Sequence, residues 1–478
     1  TVVEPGNSFS PGHRSYGVST WLRVAGKLHA PEEMPLEELR WSFHDGSIPV
    51  LHSAWAAGPI QVGSRLFSDG DAAAGDIKDH FEVEFENTGA APQSFTFYLV
   101  IRSFGAAGGP IEKLWLEDGH VRINGGGPVL LPLQPPARFG ALSYAASGKD
   151  ISVLLRAGEF PAATQVEDSS SWASGALEYR VTLAPGEKTT LGFLHHVHGN
   201  NWIAFAGTQP LVGEPTGLAR REAFVRSWRA RQAISLDLPD RRFADALQCQ
   251  LTHLAMFTVD HEPRISPISY PLWWLRDGAY VLNALNKGGY HAFVEQAVRN
   301  AAPKDAFGGF GAEGDGPADG IWLITEHYLL TRSEAFLREM YPHIQRKAEL
   351  IRRMRHATGP IKLHNEYRTP EMQLRAEHPV LCLAAQDGLI RGRMDHHLPI
   401  FWINAFSWFA LRRAAMAAHE LGLVDTWYEG EAALLREAML AKAPAEFGKN
   451  DRDPNSAFWP TGWADPADPV IVRSEGGV

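Results

Sequence analysis

The sequence has 478 residues, more than one ordinary core holds, and its patterning divides into two domains. Lysine and arginine number 45 against 55 acidic residues, a net charge of −10 with no basic block, which argues against nucleic acid and leaves neutral or cationic ligands. Cys249 and Cys382 lie far apart without a neighbouring Cys or paired His, so neither a disulfide framework nor a zinc site is implied, and no apolar run nears the roughly 20 residues of a membrane span.

The chain opens at Thr1, so a leader, if one existed, is already removed, and the compartment stays open between cytoplasm and export. From there to residue 215 the pattern is that of a β-sandwich. His80 to Glu86 alternates Phe81, Val83 and Phe85 with Glu82, Glu84 and Glu86, and Phe95, Phe97, Leu99 and Ile101 repeat the period after a turn; this reads as a half-buried hairpin. Leu114 to Ile123 carries an Asp-Gly turn between short strands, and Tyr179 to Leu183 leads through Pro185-Gly-Glu-Lys to Leu191 and Phe193. His196 and His198 would share one strand face, but without a third ligand they read as structural.

Residues 216–238 are expected to form a linker helix and an extended segment, and 239–478 a helical domain. Phe243, Leu247, Leu251, Leu254 and Phe257 fall on one helical face, and further helices are predicted over 278–286, 291–301, 318–331, 333–356, 400–421 and 426–441. Long loops at 302–317 and 357–398 are the segments where function is expected.

The loop-to-helix stretch Tyr270 to Tyr280 combines Trp273, Trp274, Arg276 and Asp277, with Asp277 placed to cap the helix. In a second cluster, Glu313, Asp315 and Asp319 alternate with glycines that let the backbone approach a ligand, although Asp315 or Asp319 could be only a cap. A third acidic region runs from Glu366 to Asp395 and includes Asp387. Carboxylates in separate loops matter because glycoside hydrolysis needs two of them across the bond, about 6.5–9.5 Å apart when the configuration inverts. Fifteen tryptophans add aromatic faces that can stack on pyranose rings. Asp451 and Asp453 are too few acids for a calcium site.

The segment Pro271-Leu-Trp-Trp-Leu-Arg-Asp-Gly-Ala-Tyr280 resembles the Trp-x-Arg-Asp segment of glucoamylase-like enzymes of glycoside hydrolase family 15. Asp315 to Trp322 with His327 to Thr331 looks like that family's next helix, and Trp402-Ile-Asn-Ala-Phe406 with Ala414 to Gly422 is similar to a later helix of the wider (α/α)6-barrel glycosidases. The resemblance implies a β-sandwich before an (α/α)6-type helical toroid, with Arg276 and Asp277 holding sugar hydroxyls beside a wall of Trp273 or Trp274. Trp402 and Asn404 are further substrate-binding candidates, and Asn404 stands where related barrels carry an acid.

For the general acid, Asp387 is nearest by position, Glu366 is its rival, and Glu313 or Asp315 is an alternative carboxylate; no Trp-Glu pair marks the site. Seven predicted helices against the twelve of a closed barrel make the toroid incomplete towards the C-terminus. The expected function is an exo-acting, inverting glycosidase on an α-glucoside, with a carbohydrate as partner and no organic cofactor. Rival readings are a glycoside phosphorylase, a polysaccharide lyase using His364, Asn365, Tyr367 and Arg368, and a sugar-binding protein without turnover.

Overall fold

The computed structural model describes residues 1–12, 15–71, 76–104, 108–125, 128–197, 217–232, 234–259, 261–265, 273–308, 311–363, 379–394, 398–423 and 427–446. Two compact units divide the chain at Thr252 and His253.

The first unit is built on two antiparallel sheets. The seven-stranded sheet runs Val2–Val3, Phe9–Ser10, Gly17–Val24, Gln93–Arg102, Ser174–Leu183 and Arg138–Leu142, with Lys27–His29 pairing Gly17–Val24. The nine-stranded sheet runs Gln165–Glu167, Lys113–Glu117, His120–Ile123, Pro128–Pro132, Lys188–His196, Asp76–Asn87, Ile60–Asp71, Ile48–Ala57 and Arg40–His44.

The alternation that marks Phe81, Val83 and Phe85 and then Phe95, Phe97 and Leu99 does yield two strands, but they are not a hairpin. Asp76–Asn87 pairs with Ile60–Asp71 and Lys188–His196, whereas Gln93–Arg102 pairs with Gly17–Val24 and Ser174–Leu183 in the facing sheet. Period two identifies the buried face of each strand but not its neighbour, and both strands turn their aromatic faces into the same interlayer core. Phe85 meets Phe95 at 5.2 Å and Phe97 at 5.0 Å across that core. Asn87 fixes the crossover, its amide donating to the carbonyls of Ala91 (2.9 Å) and Leu183 (3.0 Å) while its oxygen accepts from Gly89 N. The stretch through Pro185 is likewise a crossover from one sheet to the other. The Asp118-Gly119 turn, with both residues at positive φ, is a true hairpin.

Two short helices, α1 (Tyr144–Ser147) and α2 (Ile151–Ala157), are followed by α3 (Leu218–Arg231) and α4 (Arg241–Met256). α3 lies on the nine-stranded sheet: Phe224 touches Phe67 at 4.9 Å, Arg220 pairs with Asp69 at 3.1 Å, and Arg221 bonds Glu82. In α4 the expected apolar stripe is only partly buried, because Ala244, Leu251 and Thr252 turn inward and leave Phe243 70% exposed.

The second unit contains α5 (Leu275–Lys287), α6 (His291–Ala301), α7 (Gly316–Thr331), α8 (Glu334–Arg355), α9 (Phe401–Glu420) and α10 (Tyr428–Glu446). α7 packs against α5, α8 and α9, and α10 against α9. It is apolar nearly all round, with residues such as Ile321, Leu323 and Ile324 buried, as expected of a helix enclosed by others. α8 is amphipathic and starts at Ser333, whose hydroxyl accepts from Phe336 N. Short hairpins, Phe307–Gly308 with Gly311–Ala312 and Ile361–Lys362 with Val380–Cys382, occupy the inter-helix loops. Among the described residues no helix is long and apolar enough to cross a membrane.

Candidate active site

The N-cap of α5 is Trp274, and no side chain caps the helix. Asp277 therefore stands in the first helical turn instead of at the cap expected for it, where the helix dipole still favours its charge. Trp273 and Trp274 are buried under this turn, at 3% and 2% exposure. Gly278 makes room for them: a Cβ there would lie 2.3 Å from Trp273 Nε1. On the ring of Trp273 lies Lys304 Nζ, 3.9 Å from the centroid and bonded to Glu262 at 2.5 Å.

Arg276 is the centre of the polar cluster. Its Nη1 donates to Glu313 at 2.9 Å and to Asp315 at 2.5 Å, and its Nε lies 3.7 Å from Asp277. Glu313 and Asp315 are 2% and 1% exposed, Arg276 18% and Asp277 39%, so the cluster rises from a dry base to an accessible carboxylate. Burial lowers the guanidinium pKa, but Asp315 and Glu313 outweigh it and hold the group above its ordinary value.

The glycines around these acids have a steric reason. A Cβ on Gly316 would stand 2.9 Å from the Ala306 backbone, and Gly314 N donates to Arg393 O at 2.8 Å. The segment bearing both acids thereby lies against Asp305 and Ala306 on one side and Arg393 on the other.

Asp319, in the first turn of α7, is fully buried, and neither carboxyl oxygen has a hydrogen-bond partner. Burial first, and then the Asp315 charge, push its pKa well above the usual carboxylate range, with Arg276 opposing. Beside it runs Lys347 of α8, through space left by Gly320, where a Cβ would meet Lys347 Cε at 2.5 Å. Lys347 Nζ bonds the Lys304 carbonyl and, at 2.8 Å, Asp305; burial pulls its pKa down to about 8 against the pull of Asp305.

An aromatic row flanks the cluster. Trp402, in the first turn of α9, stacks on Phe406 at 4.7 Å; Phe406 meets Trp322 at 5.6 Å; Trp322 meets Tyr280 at 4.8 Å. Tyr280 is 54% exposed, so this row across α5, α7 and α9 is reachable from solvent.

Of the other expected residues among those described, Asn404 and Asp387 form no hydrogen bond or ion pair with Arg276, Glu313 or Asp315. Asn404 is fully buried and clamps Ile390, accepting from its N–H at 2.7 Å and donating to its carbonyl at 2.9 Å. Asp387 sits in the Gln386–Leu389 turn at positive φ, 58% exposed, with Lys442 of α10 at 3.5 Å. Glu366, His364, Asn365, Tyr367, Arg368, His198, Asp451 and Asp453 fall outside the described residues. Among the described residues no group of three or more His, Cys, Asp or Glu side chains is arranged to hold a metal.

Trp322, Tyr280 and Lys347 carried no signal of their own in the sequence, since aromatic and basic residues on helices are ordinarily core or surface. Asp319 was visible as an acid but indistinguishable from a cap.

A β-sandwich followed by a helical unit is a glucoamylase-like β-then-α architecture. The chain is similar to a bacterial glucoamylase solved in complex with acarbose, with a TM-score of 0.59 and 11% identity, over 96% of this chain and 70% of that one. It also matches a protein assigned as a kojibiose phosphorylase from the human microbiome (TM-score 0.34, 8% identity, 88% and 58% covered) and a polysaccharide lyase (TM-score 0.21, 9% identity, 90% and 69% covered). The fold assignment rests on the glucoamylase. No protein-family model matches the sequence, nor does any curated protein.

Proposed function

We propose that the protein is a carbohydrate-active enzyme, an exo-acting inverting glycosidase on an α-glucoside. The observation that carries this reading is the graded cluster in which a half-exposed Asp277 tops an Arg276 held by buried Glu313 and Asp315. A fixed guanidinium beside a carboxylate presents donors and an acceptor to adjacent sugar hydroxyls, and preorganised charge costs no reorganisation when substrate arrives. The neighbouring row of Trp402, Phe406, Trp322 and Tyr280 supplies aromatic faces for pyranose rings.

In this reading Arg276 and Asp277 bind the terminal sugar, while Trp273 and Trp274, too deeply buried to form the wall expected of them, support the turn from beneath. Proton donation goes to Asp387, a carboxylate outside the Arg276 clamp in the loop before α9, with Glu313 and Asp315 as the alternative. Inverting hydrolysis then needs one group to protonate the leaving oxygen and a second carboxylate to activate water on the opposite face.

The experiment is hydrolysis of aryl glycosides and α-linked oligosaccharides, with and without phosphate, with the product anomer followed by NMR. Release of an inverted monosaccharide without phosphate supports the reading. Turnover only with phosphate would make the protein a phosphorylase, and an unsaturated, ultraviolet-absorbing product would make it a lyase. If Asp387→Asn retains full activity while Glu313→Gln loses it, the donor moves to Glu313.

A further inference from the structure

The sandwich carries a second surface whose chemistry the helical unit does not use. An open groove of about 980 Å3 runs beside Trp115, Ser143, Glu112 and Glu167. Adjoining its lining in sequence are Trp172, next to the lining residue Ser171, and Tyr144, between the lining residues Ser143 and Ala145. Trp172 is 46% exposed and Phe104 50%, and their rings meet at 5.8 Å; Tyr144 meets Trp172 at 5.2 Å. Large aromatics at that exposure forfeit the burial that usually repays them, so a cluster of them marks a contact surface.

The surface is held rigid from below. Asp168, 4% exposed, accepts from Ser143 Oγ (2.8 Å) and Ala145 N (2.9 Å) through one oxygen, and from Ser170 N (2.8 Å) and Trp172 N (3.1 Å) through the other. One carboxylate thereby ties the segment bearing Tyr144 to the segment bearing Trp172. Ser171 adopts a φ of 61°, a conformation uncommon for a residue with a side chain, and its carbonyl accepts from Ile111 N at 2.8 Å and Ser103 Oγ at 3.1 Å.

The groove chemistry selects the occupant. Glu112 and Glu167 line the groove with Lys113, which pairs with Glu167 at 2.9 Å, and Arg102, 5.9 Å from the Phe104 ring, pairs with Asp150 at 3.5 Å. Both of these cations are already matched by carboxylates, so the described surface offers a polyanion or an anionic lipid no excess positive charge. The floor is too polar for an apolar peptide. Aromatic faces beside carboxylates and hydroxyls suit a ring with apolar C–H faces and hydroxyl edges. We infer that the Trp172, Tyr144 and Phe104 shelf with its adjoining groove is a non-catalytic binding site for a neutral polysaccharide chain. The argument stands on the sandwich alone and is independent of the function assigned to the helical unit.

The test is affinity electrophoresis of the full chain through gels containing soluble starch, β-glucan, xylan or polygalacturonate. Retardation by at least one neutral polysaccharide is expected, with apparent affinity falling by about tenfold in Trp172→Ala and in Phe104→Ala, as the loss of one aromatic stack predicts. Both side chains are exposed, so both variants keep the fold, and turnover of any small aryl glycoside stays unchanged in them. Asp277→Asn keeps the retardation while losing turnover. The inference is overturned if no neutral polysaccharide retards the protein, if the Trp172 and Phe104 variants are retarded like the parent, if polygalacturonate is the gel that retards it, or if Asp277→Asn alone abolishes retardation. Retardation without any hydrolysis would leave this site standing and remove the glycosidase reading.

Discussion

At the scale of single residues, the site depends on how its charges are paired. Removing Arg276 leaves Glu313 and Asp315 buried without their cation, so Arg276→Ala is expected to cost about 3–5 kcal/mol of stability, measured by chemical denaturation. Asp319 predicts a pH signature. Its folded-state pKa is raised above the unfolded value, so its contribution to stability is fully present below about pH 4 and is lost as pH climbs towards the folded value. Asp319→Asn should flatten that decline in melting temperature with pH; an unchanged slope would mean that another group titrates. Asn404→Ala should cost about 2–3 kcal/mol, because it strands the N–H and carbonyl of Ile390.

Residues of this kind were only partly legible. Arg276 and Asp277 announced themselves by combining charge and indoles in a short stretch, and Glu313 and Asp315 by their glycines. The task of Asn404 was invisible because its partner is backbone fourteen positions earlier, and that of Lys347 because burial of a lysine leaves no trace in local pattern.

At the scale of elements, helices were legible almost to their ends because a 3.6-residue period survives without knowledge of neighbours. The span expected over 291–301 is the observed α6, and that expected over 333–356 is α8 at Glu334–Arg355. The start of α5 was missed by three residues because Trp274, a residue without capping chemistry, ends the loop.

Strand pairing was not legible, as Asp76–Asn87 and Gln93–Arg102 show, since adjacency in sequence does not dictate adjacency in a sheet. Two glycines test helix packing. Alanine normally gains up to about 1 kcal/mol over glycine inside a helix. At Gly320 it should instead destabilise, because the new methyl would displace Lys347 from its Asp305 contact. Gly278→Ala should push Trp273 aside and raise KM for any glycoside more than it lowers kcat, a split that steady-state kinetics reads directly.

At the scale of the whole molecule, composition and the change of period near residue 218 were enough to place a β unit before an α unit. The similarity to the bacterial glucoamylase agrees with that order at 11% identity, where the fold outlasts any common sequence. The division between units falls at Thr252, within α4, and no signal in the sequence marks it because the helical pattern runs through it unbroken.

The crossover pinned by Asn87 also sets the order in which the sandwich can assemble. The four strands from Arg40 to Asn87 pair each with the next and can zip up locally. The strand Gln93–Arg102, by contrast, must find Gly17–Val24 far upstream and Ser174–Leu183 far downstream. Loop closure of that length slows pairing, so the nine-stranded sheet has a long local seed, whereas the seven-stranded sheet pairs locally only through the short strands Val2–Val3, Phe9–Ser10 and Lys27–His29. Pulse-labelled hydrogen exchange during refolding should show amides of 48–87 protected before those of 93–102. On a ribosome, one hydrogen-bonding edge of Gln93–Arg102 waits unpaired until residue 183 has emerged, the interval in which a nascent chain is most exposed to aggregation.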